Sequence, residues 1–124
     1  NYHFRRADIE LRAMSPMFLG GLAARAIELK SDLKGLGIKV YETYPKIVAK
    51  RMNLHECDYK GSMQSIDPCK GKVLAALPET ISIEAADIKT WHHLDALMAL
   101  ISAINSLYGK SEIYGHKKEG LIYI

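Results

Sequence analysis

The sequence lacks the features of a secreted or membrane-spanning protein. It has only two cysteines, Cys57 and Cys69, and no secretory signal. Two cysteines in such a chain are typical of a reducing compartment, so we expect free thiols rather than a disulfide framework. No stretch approaches the roughly 18 consecutive apolar residues that a membrane-spanning helix needs. Together these absences predict a cytoplasmic protein with no membrane partner.

The chain also lacks the signatures of the commonest enzymes that bind nucleotides or hydrolyse esters. It contains no P-loop, no dinucleotide-binding glycine pattern and no Gly-x-Ser-x-Gly elbow. Its 48% hydrophobic and 25% charged residues are ordinary for a folded domain, and 124 residues suffice for one core. The net charge of +3 is compatible with a nucleic-acid partner but is too small to indicate a dedicated binder.

Hydrophobic periodicity and turn residues predict an α/β domain. Helices are expected over 4–14, over 17–34 after the Ser15-Pro16 start signal, from Pro45 to about Met52, over 73–77 and over 90–108. Strands are expected over 38–44, 111–114 and 120–124, with an irregular segment over 53–72. Such a sheet is too small for its helices, so either a strand-rich segment is missing or another chain completes the sheet, as in a homodimer. The start at Asn1, without an initiator methionine, is compatible with a fragment.

The most apolar stretch, Thr90 to Tyr108, predicts a buried helix that carries one unexpected carboxylate, Asp95. Thr90 is the expected N-cap, which places Asp95 in the second turn, where the helix N-terminus still favours negative charge. One interpretation is a buried Asp satisfied by local N–H groups or by a neighbouring Lys or Arg. The other is that Asp95 shares a site with a second acid.

Glu42 is the second acid that the pattern suggests. It shares one face of the predicted strand with apolar residues, and a helix packed over that strand would bring Asp95 close. Two carboxylates a few ångströms apart cannot both stay ionised cheaply unless a cation joins them. Hard oxygen ligands suit Mg²⁺ or Mn²⁺, which act on phosphodiesters by activating water and stabilising the leaving oxygen. The alternative for Glu42 is a salt bridge to Lys46 or Lys50.

Four segments resemble motifs of one family. They are Arg5-Arg-Ala-Asp-Ile-Glu-Leu-Arg12, Lys39-Val-Tyr-Glu-Thr-Tyr-Pro45, His93-Leu-Asp-Ala-Leu97 and Glu119-Gly-Leu-Ile-Tyr-Ile124. In order and approximate spacing they resemble the "R-x-x-D-x-x-L-R", "E-x-Y-P", "D-A-L" and "E-G-x-I" motifs of an uncharacterised family of predicted nucleases with a ribonuclease H-like fold (domain of unknown function 429). The resemblance covers most of the chain.

The resemblance implies a ribonuclease H-like fold in which acids from the first strand, a later strand and the final helix hold metal ions. Glu42 and Asp95 would be the later-strand and final-helix acids. The first-strand Asp and its hairpin have no counterpart here, so residues 1–124 would form the C-terminal part of one such domain, without its first strands. His92 and His93 would serve in place of the usual acidic neighbour as ligand or general base, although a His beside an N-cap is more often structural.

The leading hypothesis is therefore a metal-dependent nuclease with Glu42 and Asp95 as ligands of Mg²⁺ or Mn²⁺. The candidate phosphate contacts are Arg5, Arg6, Lys46 and Lys50. The candidates for a further carboxylate are Asp8, Asp87, Glu119 and an acid of a missing amino-terminal segment. The alternative is a non-catalytic binding or assembly module that keeps the fold with an incomplete site.

A zinc site is a rival metal centre. His55, Cys57 and Cys69 would supply three ligands, but a fourth is lacking and the spacing matches no compact zinc finger.

Overall fold

The computed structural model describes residues 4–124, which are rich in helix, contain one two-stranded sheet and divide into two units. The first unit extends to Glu42 and includes residues 112–123, and the second comprises residues 43–111 with Ile124. The helices are α1 (Arg6–Leu11), α2 (Gly21–Gly35), α3 (Pro45–Arg51), α4 (Ile66–Ala75) and α5 (Trp91–Leu107). The strands are β1 (Ile113–His116) and β2 (Gly120–Tyr123), and short 3-10 turns cover Pro16–Leu19, Leu54–Cys57 and Ala85–Asp87.

The predicted C-terminal hairpin is confirmed, with β1 and β2 paired antiparallel. Helix α1 packs closely against β1, because a Cβ added at Gly115 would lie only 2.7 Å from the Cβ of Ala7. The carboxylate of Glu10 accepts a hydrogen bond from the Gly115 amide at 2.8 Å. Ala7, Leu11 and Ile122 are buried and form the small core of the first unit.

The strand predicted over 38–44 is wrong for most of its length. Glu42 alone makes a bridge, parallel to Ile122, and its carbonyl oxygen accepts a hydrogen bond from the Tyr123 amide at 2.8 Å. A strand needs a neighbour along its whole length to form a ladder. Here β2 pairs with the segment only near its end, so 38–41 has no regular secondary structure.

The helix predicted over 17–34 is interrupted. Ser15 accepts a hydrogen bond from the Met17 amide as its capping signal predicts, but the turn that follows is 3-10 and ends at Leu19. Gly20 has φ +51, a left-handed value that ends the turn, and α2 begins only at Gly21. No residue of α2 is buried.

In the second unit, α3 and α4 both pack against α5. The predicted N-cap of α5 is confirmed, since the Thr90 hydroxyl accepts a hydrogen bond from the His93 amide at 3.3 Å. Leu94 and Met98 are completely buried. Helix α4 starts earlier than predicted, at Ile66. Pro68 is tolerated there because it lies in the first turn, where a missing N–H costs little.

Cys57 and Cys69 form a disulfide, with their Cα atoms 5.5 Å apart. The expectation of free thiols is therefore wrong. The 3-10 turn that ends at Cys57 packs against α4, which brings two cysteines 12 residues apart in sequence together. That packing depends on tertiary structure, so neither the number nor the spacing of the cysteines reveals it.

No helix among residues 4–124 combines the length and apolar character needed to cross a membrane.

Removal of the disulfide should destabilise the second unit. In Cys57→Ala/Cys69→Ala, the free energy of unfolding should fall by about 3 kcal/mol, because the unfolded chain is no longer closed into a short loop. Urea denaturation followed by circular dichroism measures this loss. The wild-type protein with a reductant should fall to the same midpoint as the variant. If the double variant and the reduced wild type both unfold at the same urea concentration as the untreated wild type, the disulfide does not stabilise the protein.

Candidate functional site

Arg5 links two carboxylates of the first unit. Its Nη1 and Nη2 donate to Oε2 and Oε1 of Glu42 at 2.8 and 2.7 Å. Its Nε and Nη2 donate to Oδ2 and Oδ1 of Asp8 at 3.1 and 2.8 Å. A guanidinium is planar and carries donors along two edges, so it can bind two carboxylates in parallel, each through two hydrogen bonds.

The local sequence positions Asp8 for this role. Asp8 is the third residue of α1, and its Oδ2 also accepts a hydrogen bond from the Arg5 amide at 2.9 Å, as in a capping box. Only 1% of Asp8 is exposed, so its charge depends on Arg5 for compensation. The hydrogen bond to Glu42 raises the pKa of Arg5 most, the hydrogen bond to Asp8 raises it further, and burial opposes both effects.

Three of the four family-like segments meet around this guanidinium. Arg5 and Asp8 come from the first, Glu42 from the second and Gly120 from the last. A Cβ at Gly120 would lie 3.2 Å from Nη1 of Arg5, so the missing side chain leaves room for the guanidinium. The contacts explain why these segments carry Arg, Asp, Glu and Gly without requiring a ligand.

Asp95 lies in the second unit and is held by two neighbouring residues. Its Oδ1 accepts a hydrogen bond from the Tyr59 hydroxyl, and its Oδ2 pairs with the Lys60 ammonium at 2.6 Å. The ring of Trp91 meets Tyr59 edge-on, with centroids 5.4 Å apart. Trp91 and Asp95 are one turn apart on α5, so a single face of the helix holds the tyrosine.

Tyr59 and Lys60 contact Asp95 from a turn with a strained backbone. Asp58 and Lys60, on either side of Tyr59, have φ values of +56 and +62, in the left-handed region that is costly for non-glycine residues. Such a residue costs about 1 kcal/mol or more and persists only where surrounding contacts fix it. Here the Ser65 hydroxyl donates to the Asp58 carbonyl oxygen at 2.9 Å, and the Asp95 contacts hold the other end.

The environment of Tyr59 keeps its phenol protonated. Burial raises the pKa of Tyr59 well above its ordinary value of 10.0, and the hydrogen bond to Asp95 raises it further. The hydroxyl therefore remains a donor to Asp95 throughout the neutral range. The Asp95 side chain is 20% exposed, so part of it still faces solvent.

The predicted catalytic residues fall into both units. Glu42 belongs to the first unit and Asp95 to the second, so the expectation that they share one site stays a prediction. The first interpretation of Asp95 included an ion pair with a neighbouring Lys or Arg, and the structure contains such a pair, with Lys60. His92 is exposed on α5, and Nδ1 of His93 accepts a hydrogen bond from the Lys89 amide at 3.1 Å, which ties that ring to the start of the helix.

The predicted phosphate contacts have two kinds of surroundings. Arg5 binds the two carboxylates described above, and Arg6 pairs with Glu10 at 2.7 Å, so both guanidinium groups already have anionic partners. Lys46 and Lys50 are exposed on α3. Their contact with phosphate stays a prediction.

The predicted metal ligands match the preferred ions in donor type, but in the described part of the chain they do not form a cluster of three. Carboxylate oxygens are the donors that Mg²⁺ and Mn²⁺ prefer, so Glu42 and Asp95 fit in kind. Within residues 4–124, however, no three His, Cys, Asp or Glu side chains cluster closely enough to hold an ion. Of the candidate third acids, Asp8 shares Arg5 with Glu42.

The zinc alternative loses its ligands in this structure. Zinc binds cysteine as a thiolate, and the sulfur atoms of Cys57 and Cys69 are bonded to each other. His55 is exposed beside them, so no three-ligand set remains.

Sequence reasoning missed Tyr59 and Lys60. They lie 36 and 35 residues before Asp95, in a segment without periodicity that was expected to be irregular. The adjacent positions Asp58 and Gly61 are ordinary turn residues and indicate a change of direction. Nothing local indicates that this turn reaches α5.

Comparisons of the chain with models of known protein families, with curated proteins and with solved structures find no match.

The raised pKa of Tyr59 predicts a distinct alkaline titration. Because folding holds this phenol proton more tightly, the contribution to stability is fully present below pH 10.0 and is lost as the pH rises through the higher folded-state pKa. The ultraviolet phenolate signal of the wild-type protein minus that of Tyr59→Phe should therefore appear only above the ordinary tyrosine range. A difference signal centred near pH 10 would contradict the burial and the hydrogen bond to Asp95.

Proposed function

We propose that the chain contributes to a phosphodiester-hydrolysing site of ribonuclease H-like type that uses Mg²⁺ or Mn²⁺. The observation that supports this proposal most directly is Asp95: a partly exposed carboxylate near the start of an apolar helix, fixed by Tyr59 and Lys60 through a strained turn. A simple packing role would not need such an acid on the helix. Strained backbone that holds a charged side chain is typical of functional sites.

Asp95 and Glu42 would be the ligands of the metal ion, as the family resemblance implies. When bound, such an ion supplies Lewis acidity to a phosphodiester and lowers the pKa of a water molecule. The chain's own residues would orient the acid: Tyr59 fixes Oδ1, and Lys60 offsets the charge at Oδ2. Lys46 and Lys50 would attract the phosphates of a nucleic acid.

A second candidate function is a non-catalytic binding or assembly module with a ribonuclease H-like fold. The specific observation in its favour is that both carboxylate oxygens of Glu42 accept hydrogen bonds from Arg5. In this alternative Glu42 is an anchor for Arg5, and the fold persists while catalysis does not.

Calorimetric titration with Mn²⁺ distinguishes the two functions. If Asp95 and Glu42 are ligands, the wild-type chain should bind the ion, and Asp95→Asn and Glu42→Gln should each remove binding. Lys60→Met should tighten it severalfold, because the variant removes a competing positive charge 2.6 Å from Oδ2.

Glu79→Gln is the matched control, since Glu79 is an exposed carboxylate that lies in the second unit, as Asp95 does, but is not one of the proposed metal ligands. This variant should bind Mn²⁺ like the wild type, and urea denaturation should show that every variant is folded. Binding that survives Asp95→Asn, or no binding by the wild type, would contradict the metal site and favour the module.

A further inference from the structure

Helix α2 is the most exposed long element among residues 4–124. Ala23 and Leu33 are its only half-buried residues, and every other residue from Gly21 to Gly35 is exposed. The exposed fractions of Leu22 and Leu29 are both 58%, and that of Leu36, which caps the helix, is 75%. Single exposed leucines are ordinary, but a continuous apolar stripe marks an interaction surface.

Five apolar residues of α2 and its C-cap form one narrow stripe with heptad spacing, whereas Ala23, Ala24 and Ile27 lie outside it. The stripe consists of Leu22, Ala26, Leu29, Leu33 and Leu36, which alternate between steps of four and three residues. At about 100° per residue they fall within roughly 80° of the helix circumference. This spacing is the a and d pattern of a two-stranded coiled coil. We call these five residues the α2 seam.

We propose that the α2 seam pairs with the same helix of a second copy of this chain, in antiparallel orientation. The charges that flank the seam and the order of large and small residues along it favour both this partner and this orientation.

The charges beside the seam favour the antiparallel arrangement. Arg25 and Asp32 lie on one side of it at g positions, and Lys30 lies on the other side at an e position. Antiparallel helices bring g positions together, so Arg25 would face Asp32 of the second copy, and symmetry forms this pair twice. A parallel pair would instead place Arg25 opposite Lys30 of the second copy, and like charges there repel.

The sizes of the seam residues suit the same register. With the helices antiparallel, Leu22 lies opposite Leu33 of the second copy and Ala26 lies opposite Leu29. A small residue facing a large one lets two helices approach closely without a void. The end of the stripe at Leu36 extends beyond these paired layers.

Sedimentation equilibrium of the full chain over a range of concentrations tests the proposal. The wild type should show a reversible monomer–dimer equilibrium. Leu29→Glu should weaken dimerisation by about tenfold or more, since it would bury an unpaired carboxylate in the seam. Ile27→Glu is the matched control, because Ile27 is 69% exposed on α2 but lies outside the seam. It should dimerise like the wild type.

Exchange of the flanking charges tests the orientation. Arg25→Asp alone and Asp32→Arg alone should each weaken the dimer, and the double variant should restore it, because the opposite charges then face each other again. A parallel pair predicts instead that Arg25→Asp strengthens the dimer through Lys30. Circular dichroism should show unchanged helix content in each variant.

Four results would overturn the proposal. They are a monomeric wild type at all concentrations, equal weakening by Ile27→Glu and Leu29→Glu, a stronger dimer in Arg25→Asp, and no recovery in the double variant.

Discussion

The first unit depends on the guanidinium of Arg5. Asp8 is almost completely buried, and Arg5 supplies it with both a positive charge and three hydrogen bonds, counting the backbone amide. The same group extends to Glu42, next to the point where the chain bridges to β2. A buried acid without its partner would cost several kcal/mol, so this contact constrains where α1, residue 42 and the hairpin can lie.

The two acids expected to act together have different cationic partners. Glu42 is bound on both oxygens by an arginine that also serves a buried acid, whereas Asp95 is bound by a lysine and a phenol on an accessible helix face. An acid fixed by an arginine fork is difficult to release, because two hydrogen bonds and a charge pair must break together. A single lysine contact on an accessible acid is easier to exchange for another cation. Asp95 would therefore exchange its partner for a metal ion more readily than Glu42, which must first be released by Arg5.

The parts of the fold that sequence predicted are those encoded locally. Thr90 caps α5, Pro45 starts α3, and the glycine-flanked turn after β1 closes the hairpin, because each depends on residues only a few positions apart. The prediction of a strand over 38–44 was wrong because the β propensity of a segment does not supply a neighbouring strand for it to pair with. The Cys57–Cys69 disulfide and the contacts of Tyr59 and Lys60 with Asp95 were missed because each joins distant residues through packing. Glu42 was recognised as a candidate ligand, and the alternative of a salt bridge named Lys46 or Lys50 as its partner, but only the fold shows that the cation bound to Glu42 is Arg5.

A double-mutant cycle on Arg5 and Asp8 tests the central role of this ion pair most directly. The free energy of unfolding is measured by urea denaturation for the wild type, Arg5→Met, Asp8→Asn and the double variant. Arg5→Met alone should cost about 3 kcal/mol or more, since it leaves Asp8 buried without compensation. The double variant should cost clearly less than the sum of the single variants, with a coupling free energy above about 1 kcal/mol. Costs that simply add would show that Arg5 does not hold the unit together through Asp8.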